Sequence, residues 1–185
     1  QKQFAVISGM LLSAFILLCH TAFAQVEIGD KAPKFKAPDE QGNTWKLADH
    51  LGEKIVVLYF YPAAMTGGCT KQACAYRDNR QMLSALNATV VGISGDEVQN
   101  LQWFVEAENL NFPLLSDADG KIARKYGVPV KEGGTITRNI GGEDQSLARS
   151  VTTARWTFVI DLDGRVVYRD TSVSATEDSN NVIEA

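Results

Sequence analysis

Residues 59–70 read Tyr-Phe-Tyr-Pro-Ala-Ala-Met-Thr-Gly-Gly-Cys-Thr, and a second cysteine follows at Cys74. The pattern predicts an apolar strand that ends in a loop containing Pro and Gly, and this loop delivers Cys69 to the start of a helix. Unpaired N–H groups and the positive end of the helix dipole favour a thiolate there. Because the thiolate attacks electrophiles, the segment indicates a reactive Cys69 rather than an inert core thiol.

The spacing of Cys69 and Cys74 limits how the two can pair. In one helix, residues five apart have Cα atoms about 8.6 Å apart and point about 140° away from each other. A disulfide needs Cα atoms closer than about 7 Å. A Cys69–Cys74 bond should therefore require the first helical turn to unwind, as expected of a catalytic intermediate. The alternative is that Cys74 is a buried structural cysteine.

Strand and helix patterns alternate along the chain around this segment. The apolar runs Ile55–Phe60, Ala88–Ser94 and Trp156–Asp161 are typical of strands covered on both faces. The other predicted strands are Lys34–Ala37, Thr44–Lys46, Phe112–Leu115 and Arg165–Tyr168, and the predicted helices are Cys69–Leu86, Glu97–Glu108, Asp117–Tyr126 and Ser174–Ala185. This order predicts an α/β sandwich with a mixed central sheet flanked by helices. It places Cys69 at the carboxyl end of a strand, where open α/β sheets carry their sites.

Residues 129–154 interrupt the alternation. They contain four glycines, several charges and little apolar pattern. We expect a long loop here, which is usually functional or mobile. A tolerated surface excursion is the plainer alternative.

Residues 1–24 have the features of a signal peptide. Lys2 is the only charged residue before Glu27, an apolar run follows it, and Ala22-Phe23-Ala24 fits the cleavage rule. The run is short for a membrane-spanning helix, so cleavage is favoured over an uncleaved anchor. We therefore expect export to a periplasm or other extracytoplasmic space, no stable membrane insertion after cleavage, and one mature domain over residues 25–185.

Composition narrows the classes of partner and cofactor. The chain has a net charge of −4 and no basic run, which argues against nucleic acid as a partner. After residue 24, the potential soft metal ligands are Cys69, Cys74 and His50, a poor zinc set. We expect no bound metal, and an oxidising compartment makes a disulfide possible.

Three residues of the opening segment form a recognisable signature. Pro62, Thr66 and Cys69 match the Pro-x3-Thr-x2-Cys pattern of the peroxiredoxin family, and the chain resembles that family. The position of Cys74, five residues after Cys69, resembles that of the second cysteine in the Q-type subgroup, also called bacterioferritin comigratory proteins. The resemblance runs from about residue 28 to residue 185, with further matches at 29–33, 92–94, 112–117, 126–128 and 155–164.

The resemblance implies a thioredoxin-like fold and the reduction of hydroperoxides without a metal, cofactor or prosthetic group. It implies that Cys69 is the peroxidatic cysteine and that Cys74 resolves it as an intramolecular, redox-active disulfide. The substrate would be hydrogen peroxide or an organic hydroperoxide. An external dithiol, such as a thioredoxin-like protein, would reduce the disulfide, and the protein would be a monomer.

The resemblance also implies roles for side chains near Cys69. Thr66 would accept a hydrogen bond from the peroxide and donate one to the thiolate, although Thr at this position also serves as a helix N-cap. Arg155 would hold the thiolate ionised and brace the peroxide oxygens. By position alone, Arg155 could equally be a surface arginine, and Arg149 is a rival for the same role.

Two further groups complete the expected site. Pro62 would shield the sulfur from water, or it could simply end the strand. The backbone N–H groups of Gly68 and Cys69 would stabilise charge on the departing oxygen and bind the substrate. The chain departs from the family at Gly67, where proline is usual, and glycine there should loosen the loop.

Two other functions for a thiol protein of this kind remain open. An exported thiol–disulfide oxidoreductase would have Cys-x-x-Cys, and Cys69 and Cys74 are too far apart for that ring. A copper-binding thioredoxin-like protein would have Cys-x3-Cys with a distant histidine, for which His50 is the candidate after residue 24. Disulfide exchange without peroxide, or bound copper, would favour these alternatives.

Overall fold

The computed structural model describes residues 25–185. The expected signal peptide, residues 1–24, lies outside the described residues. The strands are β1 Lys36–Pro38, β2 Thr44–Lys46, β3 Ile55–Phe60, β4 Ala88–Ser94, β5 Leu114–Ser116, β6 Val130–Ile140, β7 Glu143–Thr153, β8 Trp156–Ile160 and β9 Val166–Asp170. The α-helices are α1 Gly67–Asp78, α2 Arg80–Ala85, α3 Val98–Glu108, α4 Lys121–Lys125 and α5 Asp178–Glu184.

A five-stranded mixed sheet forms the centre of the fold, in the order β5-β4-β3-β8-β9. Strand β3 runs parallel to β4 and antiparallel to β8, and β4 runs parallel to β5. The predicted α/β class and mixed central sheet are confirmed. Because β3 lies between β4 and β8, its carboxyl end is flanked by the carboxyl end of β4 and by the beginning of β8.

The two faces of β3 carry separate apolar clusters. Val56, Leu58 and Phe60 pack on one face with residues of α4 and the β1–β2 hairpin. Val57 and Tyr59 pack on the other face with residues of α1, α2, α3 and α5. The alternation follows from the two-residue period of a strand. The second cluster contains Cys69, so α1 is seated on the sheet directly beside the end of β3.

The expected long loop at 129–154 is wrong, because most of this segment is a β-hairpin. Strands β6 and β7 pair from Val130 opposite Thr153 to Ile140 opposite Glu143. Gly141 and Gly142 form the tight turn, with φ of +64° and +93°, as a two-residue hairpin turn requires. Most of its side chains are exposed or half-buried, so the usual apolar alternation of a strand is weak in the sequence.

The single predicted helix over 69–86 is also wrong, because it is two helices that meet at Asn79. The Asn79 side chain donates to Ser179 Oγ at 2.9 Å and to Asn180 Oδ1 at 3.0 Å, both in α5. Asparagine is a weak helix former, and these contacts with α5 fix the break.

Candidate active site

Cys69 lies in the first turn of α1, at the carboxyl end of β3, and its side chain is buried. Thr66 occupies the N-cap position with extended backbone angles. The helical ladder begins where the Thr70 N–H donates to Thr66 O at 2.8 Å. The N–H groups of Gly68 and Cys69 come before this ladder, so they are placed to donate to an anionic group.

Arg155 lies against the sulfur of Cys69. It immediately precedes β8, and Trp156 pairs with Phe60 at the end of β3. This register brings the Arg155 guanidinium to the start of α1, where Nη2 lies 3.3 Å from Cys69 Sγ. A Cβ added to Gly68 would lie 3.3 Å from the same nitrogen, so glycine leaves room for the guanidinium beside the cysteine.

The rival arginine, Arg149, makes a different contact. It lies in β7 and forms a buried ion pair with Asp96, in which Nε is 2.9 Å from Oδ1. The side chains of Arg149 and Asp96 are 5% and 0% exposed, so the pair is sealed inside the protein. Arg155 is therefore the arginine that contacts Cys69, whereas Arg149 connects the β6–β7 hairpin to Asp96.

Thr66 and Pro62 lie in the loop that joins β3 to α1, residues 61–66. The Thr66 hydroxyl donates to Ala63 O at 2.9 Å, so its hydrogen is committed within the loop and does not point at Cys69. Its oxygen retains lone pairs that can accept a hydrogen bond. The Thr66 side chain makes no capping hydrogen bond with α1. Pro62 is half-buried at the start of this loop.

Residues that the sequence reading missed hold the 61–66 loop in place. Asp96 Oδ2 accepts from the Ala64 N–H at 2.8 Å. From the hairpin, Thr153 donates to Tyr61 O at 3.0 Å and Arg138 Nε donates to Met65 O at 2.8 Å. Asp96 was detectable as an acid just after the apolar strand β4, next to the predicted site. The hairpin contacts have no such signal, because the sequence predicts a loop over residues 129–154.

Cys74 lies in the same helix, partly buried, with its Sγ 3.5 Å from Glu108 Oε2 at the end of α3. Burial raises the pKa of the Cys74 thiol, the Arg77 cation opposes this, and the Glu108 carboxylate raises the pKa further. Both cysteines are free thiols. Since residues 69 and 74 belong to one continuous helix, a bond between them requires that helix to open.

Gln72 is another buried residue that the sequence reading missed. It lies on α1 between the two cysteines, and its Oε1 accepts a hydrogen bond from Arg155 Nη1. Its position three residues after Cys69 was the available signal, because residues i and i+3 share a helix face. Gln72 thus connects α1 with the arginine that contacts Cys69.

Within residues 25–185, no group of three or more His, Cys, Asp or Glu side chains could hold a metal ion. His50 stacks on Trp45, with ring centroids 4.7 Å apart. Trp45 belongs to the apolar cluster on the other face of the sheet from Cys69. The donor set proposed for copper is therefore not brought together.

None of the helices described over residues 25–185 has the length and apolar character needed to cross a bilayer.

Comparison with known proteins relates this site to one family. Residues 28–169 match the AhpC/TSA family. Peroxiredoxin Bcp of Escherichia coli is 40% identical over 142 residues, which cover 76% of this chain and 83% of that protein. The chloroplastic peroxiredoxin Q of Populus jackii is 45% identical over 117 residues, covering 63% and 54% of the two chains.

A solved structure has the same fold. The crystal structure of peroxidoxin BcpB from Mycobacterium tuberculosis superposes with a TM-score of 0.72 at 35% identity, covering 86% of this chain and 96% of that one. The similarity therefore extends over nearly all of the solved protein.

Proposed function

The chain belongs to the AhpC/TSA family of peroxiredoxins, with relatives of the Bcp and Q type, and from this premise we propose how its residues reduce peroxides. It is a peroxiredoxin-type peroxidase that uses a thiol to reduce peroxide and a thiol reductant to complete the cycle. The observation that carries the assignment of residues is the 3.3 Å contact between Arg155 Nη2 and Cys69 Sγ at the start of α1.

In the first step, the Cys69 thiolate attacks the terminal oxygen of the hydroperoxide. The O–O bond breaks, the sulfur gains a hydroxyl to become a sulfenic acid, and the other oxygen leaves as hydroxide or alkoxide. Arg155 and the N–H groups of Gly68 and Cys69 donate to the oxygens on which negative charge grows. The Thr66 oxygen accepts the hydrogen bond of the peroxide hydroxyl, and half-buried Pro62 limits the access of water.

In the second step, Cys74 resolves the sulfenic acid. Its sulfur attacks Cys69, a disulfide forms, and the hydroxyl leaves as water with the proton of the Cys74 thiol. The residues between them must leave the helix for this step, since the helical spacing exceeds the span of a disulfide. An external dithiol of the thioredoxin type then reduces the bond by exchange.

We propose the following compartment and oligomeric state for the protein. Residues 1–24 act as a cleaved signal peptide, residues 25–185 form the mature domain, and the protein is an exported monomer. The features of residues 1–24 support export. Hydrogen peroxide and organic hydroperoxides are both candidate substrates.

The test is a single turnover of the reduced mature domain, residues 25–185, with hydrogen peroxide, in which the loss of the Cys69 and Cys74 thiols is followed. Wild type should lose both thiols far faster than free cysteine reacts. Cys69→Ser should react only as fast as free cysteine, whereas Cys74→Ser should lose its remaining thiol quickly and form no intramolecular disulfide. A wild-type rate equal to that of free cysteine would contradict the proposal. Insulin reduction without peroxide, or bound copper, would then favour the alternative functions.

A further inference from the structure

A buried carboxylate lies behind the residues that contact Cys69. Asp178, the first residue of α5, is fully buried. Its Oδ2 atom accepts hydrogen bonds from Gln72 Nε2 at 2.6 Å, from the Tyr76 hydroxyl at 2.8 Å and from Thr157 Oγ1 at 2.9 Å. Three donors thus converge on one oxygen, and two of them come from α1, the helix that carries both cysteines.

The Gln72 amide is held between two groups of fixed polarity. Its Oε1 accepts from the Arg155 guanidinium and its Nε2 donates to Asp178. A guanidinium can only donate hydrogen bonds, and an ionised carboxylate can only accept them. One orientation of the Gln72 amide satisfies both neighbours. With the opposite orientation, its NH2 group would face the donors of Arg155.

The surroundings of Asp178 argue against a purely structural role. Its Oδ1 atom is buried and has no hydrogen-bond partner among residues 25–185. Burial raises the pKa of the Asp178 carboxyl, and the hydrogen bonds from Gln72, Tyr76 and Thr157 only partly offset this. A carboxyl with a raised folded pKa stabilises the fold at low pH, and this contribution is lost as the pH rises through that pKa. The ionised form is therefore not retained for stability, and titratable groups with perturbed pKa values cluster at functional sites.

We propose that Asp178 is a positioning residue for peroxide reduction, because it fixes the Gln72 amide and thereby holds the Arg155 guanidinium on Cys69 Sγ. The inference rests on the proposed function and extends it from the first turn of α1 to the C-terminal helix. Asp178 touches neither the sulfur nor the peroxide. It acts through two hydrogen bonds in series, Asp178 to Gln72 and Gln72 to Arg155.

The test measures the second-order rate constant of the first step, the reaction of Cys69 with hydrogen peroxide. Asp178→Asn keeps the size of the side chain and removes its charge, and Gln72→Met keeps the length of the side chain and removes both hydrogen bonds. Each should slow the reaction by about tenfold, which is less than the roughly 100-fold cost of a 1 Å misplacement, because Arg155 itself is retained. The double variant should be no slower than the slower single variant, because both changes interrupt one connection.

Tyr76→Phe is the matched control. It removes a donor to the same Asp178 oxygen, but the lost bond does not lie between Asp178 and Arg155. Its rate constant should remain close to that of wild type. If Tyr76→Phe were as slow as Asp178→Asn, the cluster would act only by supporting the fold, and the proposal would be overturned. A wild-type rate in folded Asp178→Asn, or in Gln72→Met, would also overturn it.

A pH profile gives a readout that structural support would not move. The ratio of the wild-type to the Asp178→Asn rate constant should fall towards one as the pH is lowered and Asp178 becomes protonated. Both rate constants describe the reaction of Cys69 with hydrogen peroxide, and the two proteins differ only at residue 178. The titratable groups near Asp178 are Tyr59 of β3, Tyr76 of α1, and Tyr168 and Asp170 of β9. Arg155 is connected to Asp178 through Gln72.

Burial raises the pKa values of the three tyrosines, so these side chains stay neutral as the pH is lowered. A ratio independent of pH would contradict the role of the charge. A wild-type rate equal to that of free cysteine would instead mean that the proposed function fails, and this inference with it.

Discussion

The two cysteines of α1 lie on one helix, five residues apart, in different surroundings. Cys69 is buried, with a guanidinium nitrogen 3.3 Å from its sulfur. Cys74 is partly exposed, with a carboxylate oxygen 3.5 Å from its sulfur. A cation beside a sulfur favours attack on an electrophile, and an anion favours the neutral thiol. In the proposed mechanism, one helix therefore holds two identical side chains in surroundings that suit different steps.

Arg149→Met should give the largest change in stability. It tests whether Arg155, and not Arg149, is the arginine that acts on Cys69. Removal of Arg149 leaves the Asp96 carboxylate buried without its cation, which should lower the free energy of unfolding by about 3–5 kcal/mol. Denaturant titration measures this loss. The folded variant should react with peroxide at a rate much nearer to wild type than Arg155→Met does. An equal loss of rate in both variants would contradict a specific role of Arg155 at Cys69.

Arg155→Met should slow the reaction of Cys69 with hydrogen peroxide by about 100-fold, the usual cost of one donor at a site of developing charge. The side chain keeps similar bulk but loses the contacts with Cys69 and Gln72. Stopped-flow measurement of the second-order rate constant checks this. A variant that reacted as fast as wild type would show that the helix N-terminus alone activates Cys69.

Glu108→Gln tests the effect of the carboxylate beside Cys74. It removes the carboxylate charge that helps to raise the pKa of the Cys74 thiol. The pKa should fall, and alkylation of Cys74 near neutral pH should become faster, by at most about tenfold for a full pKa unit. The measurement is the pH dependence of alkylation by iodoacetamide in a Cys69→Ser background. Glu106→Gln, an exposed change on the same helix, is the control, and identical profiles for the two would contradict the account.

Gly67→Pro should give the smallest effect and tests the opening of α1. Gly67 is the first residue of the helix, and Thr66 before it is extended, as both positions require for proline. A Cβ added at Gly67 would meet no atom of residues 25–185 within 4 Å. The free energy of unfolding should rise by about 0.4–1 kcal/mol, and disulfide formation after oxidation should slow. Gly67→Ala is the control, and faster disulfide formation in Gly67→Pro would contradict the expected unwinding.

The placement of Cys69 at the start of a helix could be predicted from sequence, because it depends on the pattern of residues 59–70. The apolar run of β3 and the Pro- and Gly-containing loop predicted a strand, a turn and a helix start at Cys69. The sequence could not choose between Arg155 and Arg149 from position alone. The pairing of β8 with β3 decides it, since Trp156 opposite Phe60 places Arg155 at the end of β3. Strand register is a tertiary property that a single sequence reveals only weakly.

The residues missed by sequence reading act through contacts between distant segments. Gln72 bonds to Asp178 across 106 positions of sequence, and a polar residue in a helix normally indicates a solvated face. Asp96 and Arg149 are 53 positions apart and pair only because the hairpin folds against the end of β4. Such pairings depend on the completed fold, whereas the prediction of a reactive cysteine at position 69 rests on twelve consecutive residues.

The most direct test of the contrast is to identify which cysteine becomes a sulfenic acid. Cys74→Ser and Cys69→Ser are each treated with stoichiometric hydrogen peroxide in the presence of dimedone, which traps sulfenic acids, and the labelled peptides are quantified by mass spectrometry. The account predicts rapid labelling of Cys69 in Cys74→Ser, and labelling of Cys74 in Cys69→Ser no faster than that of free cysteine. Equal labelling of both cysteines, or preferential labelling of Cys74, would contradict it.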